Sequence, residues 1–432
     1  MRDELPGIPD HGWPADEVLD RIDARRAGDL DWRGGRAFSL VYNPGDEGLE
    51  RLLHAVADRY LHENALNPFR YPSLLAMEQE VVAMGCRLLG TAPDAGALTS
   101  GGTESIFLAV QVARDAARTG RGIAEPQLLT ASTAHPAFAK AAKYLDVEHV
   151  RVPVGPDGRA DVDAMAAAIG DRTGLVVGSA PCYPFGVVDP IGDLAAAAAE
   201  RGVLFHTDAC LGGWLLPWLE RLGEPVPAWD FRVPGVTSVS ADVHKYGYGF
   251  KGASIVAYRD RTLLTRQHFW YDDWPGGLYA SGTTAGTRPA APIAGAWAAV
   301  THLGVDGYLR MATAVRDTTR RFVHGIDAVA GLAVDPRPDA AAMQITATAP
   351  TLDGPQAGTG AVPARGSALD LGALGDAMDR RGWALDRQQG GLHLMVSPYH
   401  AQVVERFLVD LGAAAAEGGT SEGVGATYGG IA

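Results

Sequence analysis

The sequence predicts an α/β protein, with a mostly parallel sheet covered by helices in a large domain and a small C-terminal α/β domain after it. Three observations carry this. The chain has 432 residues, too many for one ordinary core and enough for one large and one small domain. Between about residues 97 and 258, short apolar runs rich in β-formers alternate with alanine-rich helical stretches. A second α/β segment follows residue 303.

Taken in order, strands are expected at 127–131, 149–153, 174–179, 203–207, 236–241 and 253–258. Helices are expected between them at 104–118, 136–144, 162–169 and 191–200, and an earlier one over 50–62. This gives an N-terminal arm and helix (1–62), a large domain (63–307), a small C-terminal domain (308–416) and a flexible tail (417–432). Residues 349–366, rich in Gly, Pro and Ala, read as a surface loop. There is no internal repeat.

Composition narrows the function classes. The chain is 47% apolar and 20% charged, as in a soluble globular protein. Its net charge of −14 and lack of a basic cluster argue against nucleic-acid binding. No apolar run approaches the roughly 20 residues of a membrane span, and the N-terminus lacks a signal-peptide core. Three scattered cysteines, Cys86, Cys182 and Cys210, suit neither a disulfide framework nor a zinc site. The expectation is a cytoplasmic protein with reduced thiols, no metal site and no transmembrane anchor.

Three motifs carry chemistry. "LTSGGTES" (98–105) leads a glycine turn into a helix, with Thr103 at or near its N-cap. Glycines let the backbone approach an anion, and a helix N-terminus offers free amides to a phosphate. "LFHTDACLGGW" (204–214) ends a strand on Asp208. A carboxylate at a strand C-terminus lines the ligand crevice of a parallel sheet and can pair with a protonated ring nitrogen. "SVSADVHKYGYGFKG" (238–252) places Lys245 directly after His244 at a strand end. A Schiff-base lysine must be held rigidly and kept deprotonated by its surroundings. Taken singly, these are also ordinary helix caps and surface charges. Together they stand in the order phosphate cradle, acid, lysine, with Lys245 37 residues after Asp208.

That order resembles the fold-type I pyridoxal-5′-phosphate (PLP) enzymes, in the group of amino acid decarboxylases and sphingosine-1-phosphate lyase. The lyase family is the nearer likeness, in "GRAFSLVY" (35–42), "ENALNPFRYPSLLAMEQEVVAM" (63–84), "PCYPFGVVDP" (181–190) and "GGLYASGTTAGTRPAAPIAGAWAA" (276–299). The resemblance implies that Lys245 carries PLP covalently, that Asp208 holds its pyridine nitrogen, and that His135 stacks on its ring. It assigns His244 and the Gly101–Gly102–Thr103 turn to the cofactor phosphate. Ser281 and Thr283 would reach that phosphate from the partner subunit of a homodimer. For the substrate's own phosphate it implies Tyr42 and Lys251, with Asn64 acting across the dimer.

The chain departs from the family in three places. Asn67 stands where the family has a phosphate-binding His, Phe185 replaces another His, and Gly282 replaces a Pro. The first loss weakens the case for a phosphorylated substrate. The expected reaction is retro-aldol cleavage of a long-chain β-hydroxy amine to an aldehyde and phosphoethanolamine. An amino acid decarboxylase, which needs a cation for the substrate carboxylate, is the alternative. A non-catalytic scaffold on the same fold is the alternative of another class. The sequence does not identify the general base.

Overall fold

A computed structural model of the chain describes residues 7–348 and 369–421. The expected surface loop over 349–366 lies outside these residues, as does the tail beyond residue 421.

Three helices precede the first strand: α1 (Ala15–Arg26), α2 (Glu47–Arg59) and α3 (Pro72–Leu88). The Asp46 side chain accepts from Leu49 N, which fixes the start of α2 three residues before the sequence suggests. Then β1 (Gly96–Thr99), α4 (Gly102–Arg121), β2 (Gln127–Ala131), α5 (Ala137–Leu145), β3 (Glu148–Val152), α6 (Val162–Ala168), β4 (Thr173–Ser179), α7 (Ile191–Glu200), β5 (Leu204–Asp208), α8 (Leu216–Arg221), β6 (Ser238–Ala241) and β7 (Ser254–Tyr258) build the large unit. All six expected strands form, within two residues at their ends. Among the strands of the large sheet β1 is the one missed, because four residues of "GALT" carry too little periodicity to stand out.

These strands form one seven-stranded sheet in the order β1-β7-β6-β5-β4-β2-β3. It is parallel except at β7, which runs antiparallel to both β1 and β6. The seven residues of β4 are all buried, as expected of a strand covered by helices on both faces. The parallel strands send their C-terminal ends, and β1 its own, to one edge. The turn before α4, the loop after β2, the end of β5 and the β6–β7 connection therefore meet there.

Beyond the sheet lie α9 (Arg261–Thr265), the hairpin β8 (Phe269–Tyr271) and β9 (Tyr279–Ser281), and the long α10 (Ala290–Asp327). Gly304, with φ of 55°, breaks α10. The expected domain boundary at 307/308 falls three residues past this break. The small unit holds β10 (Leu332–Val334), β11 (Ala342–Ala347), α11 (Leu371–Arg380), β12 (Asp386–Gln388), β13 (Gly391–Met395) and α12 (Val404–Glu417), with the strands ordered β10-β11-β13-β12.

The N-terminal arm is not separate from this small unit. Phe38 is fully buried there against Phe322, Trp383, His400 and Phe407. The start of the expected tail is also held: Ser421 N and Oγ donate to Asp370 and Asp376.

Candidate active site

The crevice at the sheet edge gathers the three motifs. Gly101 is the N-cap and α4 begins at Gly102, so Thr103 lies inside the first turn rather than at the cap. The first amides of α4 have no acceptors within the helix, which is what an anion requires. Gly102 is fixed by close approach. A Cβ there would stand 2.6 Å from Cys210 Sγ and 2.9 Å from both carboxylate oxygens of Asp242. Glu104, buried in the first turn, accepts from Ser100 N at 2.6 Å and from Thr284 N at 2.7 Å. It ties the glycine turn to the segment that carries Ser281 and Thr283.

Asp208 ends β5, buried. Its Oδ1 accepts from Cys210 N at 3.1 Å and Ser240 Oγ at 3.3 Å. No Lys, Arg or His nitrogen of the described residues pairs with it within 4 Å. A buried carboxylate with only neutral donors is suited to receive a cationic ring nitrogen. His135 follows β2, and its Nδ1 accepts from Ala137 N at 3.1 Å. Burial lowers its pKa, with Asp208 opposing and Lys245 adding, so its ring is neutral at neutral pH.

Lys245 lies in the β6–β7 connection, with Nζ 2.9 Å from Asp242 Oδ2. Burial pulls the lysine pKa down, but Asp242 outweighs it with Tyr42 and Cys210, and the net shift is well upward. Without the cofactor, Asp242 therefore favours the ammonium form of Lys245. His244 Nδ1 accepts from Ala253 N at 3.2 Å, which leaves Nε2 to face Asp242 Oδ2 at 3.6 Å.

Lys251 and Tyr42 lie beside this group. Lys251 Nζ is 4.9 Å from the Tyr42 ring centre and 3.4 Å from His244 O. Both line a cavity of about 650 Å³ with Arg33, Glu50, His54 and His244.

The remaining expected residues lie in a second cluster. Asn64 Nδ2 donates to Thr287 Oγ1 at 3.3 Å, and Asn67 Oδ1 accepts from Phe69 N at 3.1 Å. Ser281 Oγ donates to Thr283 O, and Thr283 Oγ1 to Ala285 O. Ser281 and Thr283 line a cavity of about 570 Å³ with Leu66, Glu78 and Arg288. None of the four makes a described contact with Lys245, Asp208 or His135 of its own chain. Phe185 belongs to neither cluster. It packs against the position a Cβ of Gly158 would take, at 2.7 Å.

Sequence reasoning passed over Asp242 and Ser240. Asp242 stands three residues before Lys245 in the quoted motif, so the signal was present. Only the turn geometry brings its carboxylate to the lysine.

The residues fit PLP: an amide-rich glycine turn for phosphate, a buried carboxylate short of a cation, a neutral imidazole and a lysine on one crevice. The comparisons agree. The pyridoxal-dependent decarboxylase conserved domain matches residues 54–272. Sphingosine-1-phosphate lyase of Oryza sativa is 38% identical over 95% of this chain and 74% of its own length. Sphingosine-1-phosphate lyase 1 of Rattus norvegicus is 36% identical over 95% of this chain and 70% of its own. The solved structure of the Burkholderia pseudomallei sphingosine-1-phosphate lyase superposes with a TM-score of 0.87 at 37% identity, covering 96% of this chain and 94% of that one.

Proposed function

The chain belongs to the sphingosine-1-phosphate lyase family of fold-type I PLP enzymes, and from that premise we propose that it is a PLP-dependent carbon–carbon lyase. Its substrate is a long-chain β-hydroxy amine with a phosphorylated head, and its products are an aldehyde and phosphoethanolamine. The observation that carries the reading is the arrangement of Asp208, Lys245, His135 and the glycine turn on one sheet edge, with Asp208 lacking a cationic partner among the described residues.

When bound, PLP supplies the sink for the electron pair of the breaking carbon–carbon bond. Lys245 is the attachment point. Asp208 is the buried anion facing the ring nitrogen, and His135 lies against the ring. The turn at Gly101, Gly102 and Thr103, with His244, takes the phosphate. Tyr42 and Lys251 hold the substrate head in the adjoining cavity. Lys245 is the group that moves a proton at the substrate's β-hydroxyl.

The working unit is a homodimer with composite sites, in which Asn64, Asn67, Ser281 and Thr283 serve the partner's crevice. Support comes from the absence, among the described contacts, of any between these four and Lys245 within one chain. It comes also from the β8–β9 hairpin, where Phe269, Trp270, Tyr271, Trp274 and Leu278 are all exposed. No helix of the described residues is long and apolar enough to cross a membrane, and we place the protein in the cytoplasm.

One observation favours decarboxylation as a second reading. Arg151 lines a cavity of about 360 Å³ together with His135, where a cation could orient a substrate carboxylate. Product analysis decides. Phosphorylated and unphosphorylated β-hydroxy amines, and a panel of amino acids, are incubated with the PLP-loaded enzyme. Aldehyde from the amines supports the lyase; carbon dioxide from an amino acid without aldehyde replaces it.

A further inference from the structure

The Lys245–Asp242 pair stands at the end of a buried polar row. Thr99 Oγ1 on β1 lies 2.7 Å from Ser105 Oγ on α4. Ser105 Oγ lies 2.9 Å from Ser254 Oγ on β7. Ser254 Oγ donates in turn to Ala241 O at 3.4 Å, the residue before Asp242. All three hydroxyl residues are buried, as is Asp242. Asp242 Oδ2 takes the Lys245 ammonium, yet Oδ1 is buried with no hydrogen-bond partner among the described residues. It lies 2.9 Å from where a Cβ of Gly102 would be, against the glycine turn.

We propose that Asp242 is the proton acceptor that turns Lys245 into a nucleophile. This rests on the reading that Lys245 carries PLP. An ammonium has no lone pair with which to bond to a carbonyl carbon. In the step proposed, one N–H bond of Lys245 breaks and an O–H bond forms on Asp242. The electron pair stays on nitrogen, and an ammonium and a carboxylate become an amine and a carboxylic acid. Net charge is unchanged; the raised lysine and lowered carboxyl make the two ions the resting form, and the neutral pair is the minor form from which bonding starts. The freed amine then bonds to the cofactor's aldehyde carbon with loss of one water.

The groups facing the pair do not compete for the proton. Cys210, after β5, is a neutral thiol because burial raises its pKa well above the usual range. His244 is lowered by burial. His135, lowered by burial, lies across the crevice with Asp208, and Tyr42 and Lys251 face the lysine. An internal transfer makes the amine fraction independent of solvent pH between the lowered carboxyl and the raised lysine.

The test is the rate at which cofactor-free enzyme forms the visible band of bound PLP, followed by stopped flow across about pH 6.5 to 8.5. Each rate is divided by the rate constant of PLP with the unprotonated form of a simple amine at the same pH, which removes the titrations of PLP itself and leaves those of the enzyme. Wild type is expected to give a flat profile. In Asp242→Asn the proton must leave to solvent, and the rate should rise about tenfold per pH unit. An Asp242→Asn profile that is flat, or a variant as fast as wild type throughout, overturns the proposal. If the variant does not fold, a tenfold rise per unit in wild type alone overturns it. A wild type that forms no band overturns the cofactor reading itself, and this inference with it.

Discussion

The Lys251 ammonium lies 4.9 Å from the centre of the Tyr42 ring, over a cavity that also receives His244. Burial, with the nearby Lys245 charge, brings the Lys251 pKa down to about 8. The sign follows directly: the group is a cation below that pH and neutral above it. If this cation holds a phosphorylated head, as proposed, kcat/KM for a phosphorylated substrate should fall as pH rises through about 8. The unphosphorylated analogue should not share this fall. The ratio of the two kcat/KM values against pH, in wild type and Lys251→Met, checks it. A ratio that does not move with pH removes Lys251 from the head-group site.

Attachment of PLP is expected at Lys245. Borohydride reduction followed by peptide mapping should find the adduct there, and Lys245→Ala should lose the visible band of the bound cofactor. An adduct on Lys251, six residues on, would reassign the site.

Asp208 should act mainly on the rate of bond cleavage. Asp208→Asn leaves a buried ring cation without its anion. The expected loss in kcat is about 3 kcal/mol, roughly a hundredfold, with the fold intact. Turnover within a few-fold of wild type, on a variant with unchanged thermal unfolding, would show that the ring nitrogen does not depend on this carboxylate.

Composite sites predict complementation. Lys245→Ala and Asn64→Ala chains are each expected to be nearly inactive alone. Mixed and reassembled, they should regain activity, because one crevice of the hybrid dimer then holds both an intact Lys245 and a partner's intact Asn64. Sedimentation should find a dimer. An active monomer would place Asn64 in its own chain's site or outside any site.

Much of this architecture is legible in the sequence, and the reason differs from part to part. The buried strands are legible because a covered parallel strand is a short apolar run, as in the wholly buried β4. β1 was not, since its place beside β7 depends on pairing with residues nearly 160 positions away. The N-terminal arm read as a separate unit, because nothing local in "GRAFSLVY" indicates that Phe38 completes the core around Trp383 and Phe407.

The sequence by itself determined the cofactor class and singled out the residues proposed as its anchors. Glycine turn, acid and lysine stand in a fixed order along the chain, each at a strand or helix end whose position local patterning sets. Only the tertiary structure decided which group faces Lys245 and in which direction its pKa moves. A pKa depends on burial and on distances to other charges, and Asp242 Oδ2 reaches Nζ at 2.9 Å only once the chain turns between β6 and β7. Tertiary structure likewise brought Thr284, and with it the segment of Ser281 and Thr283, to Glu104 beside the glycine turn. Contacts between residues distant in sequence are made by packing, which no local pattern records.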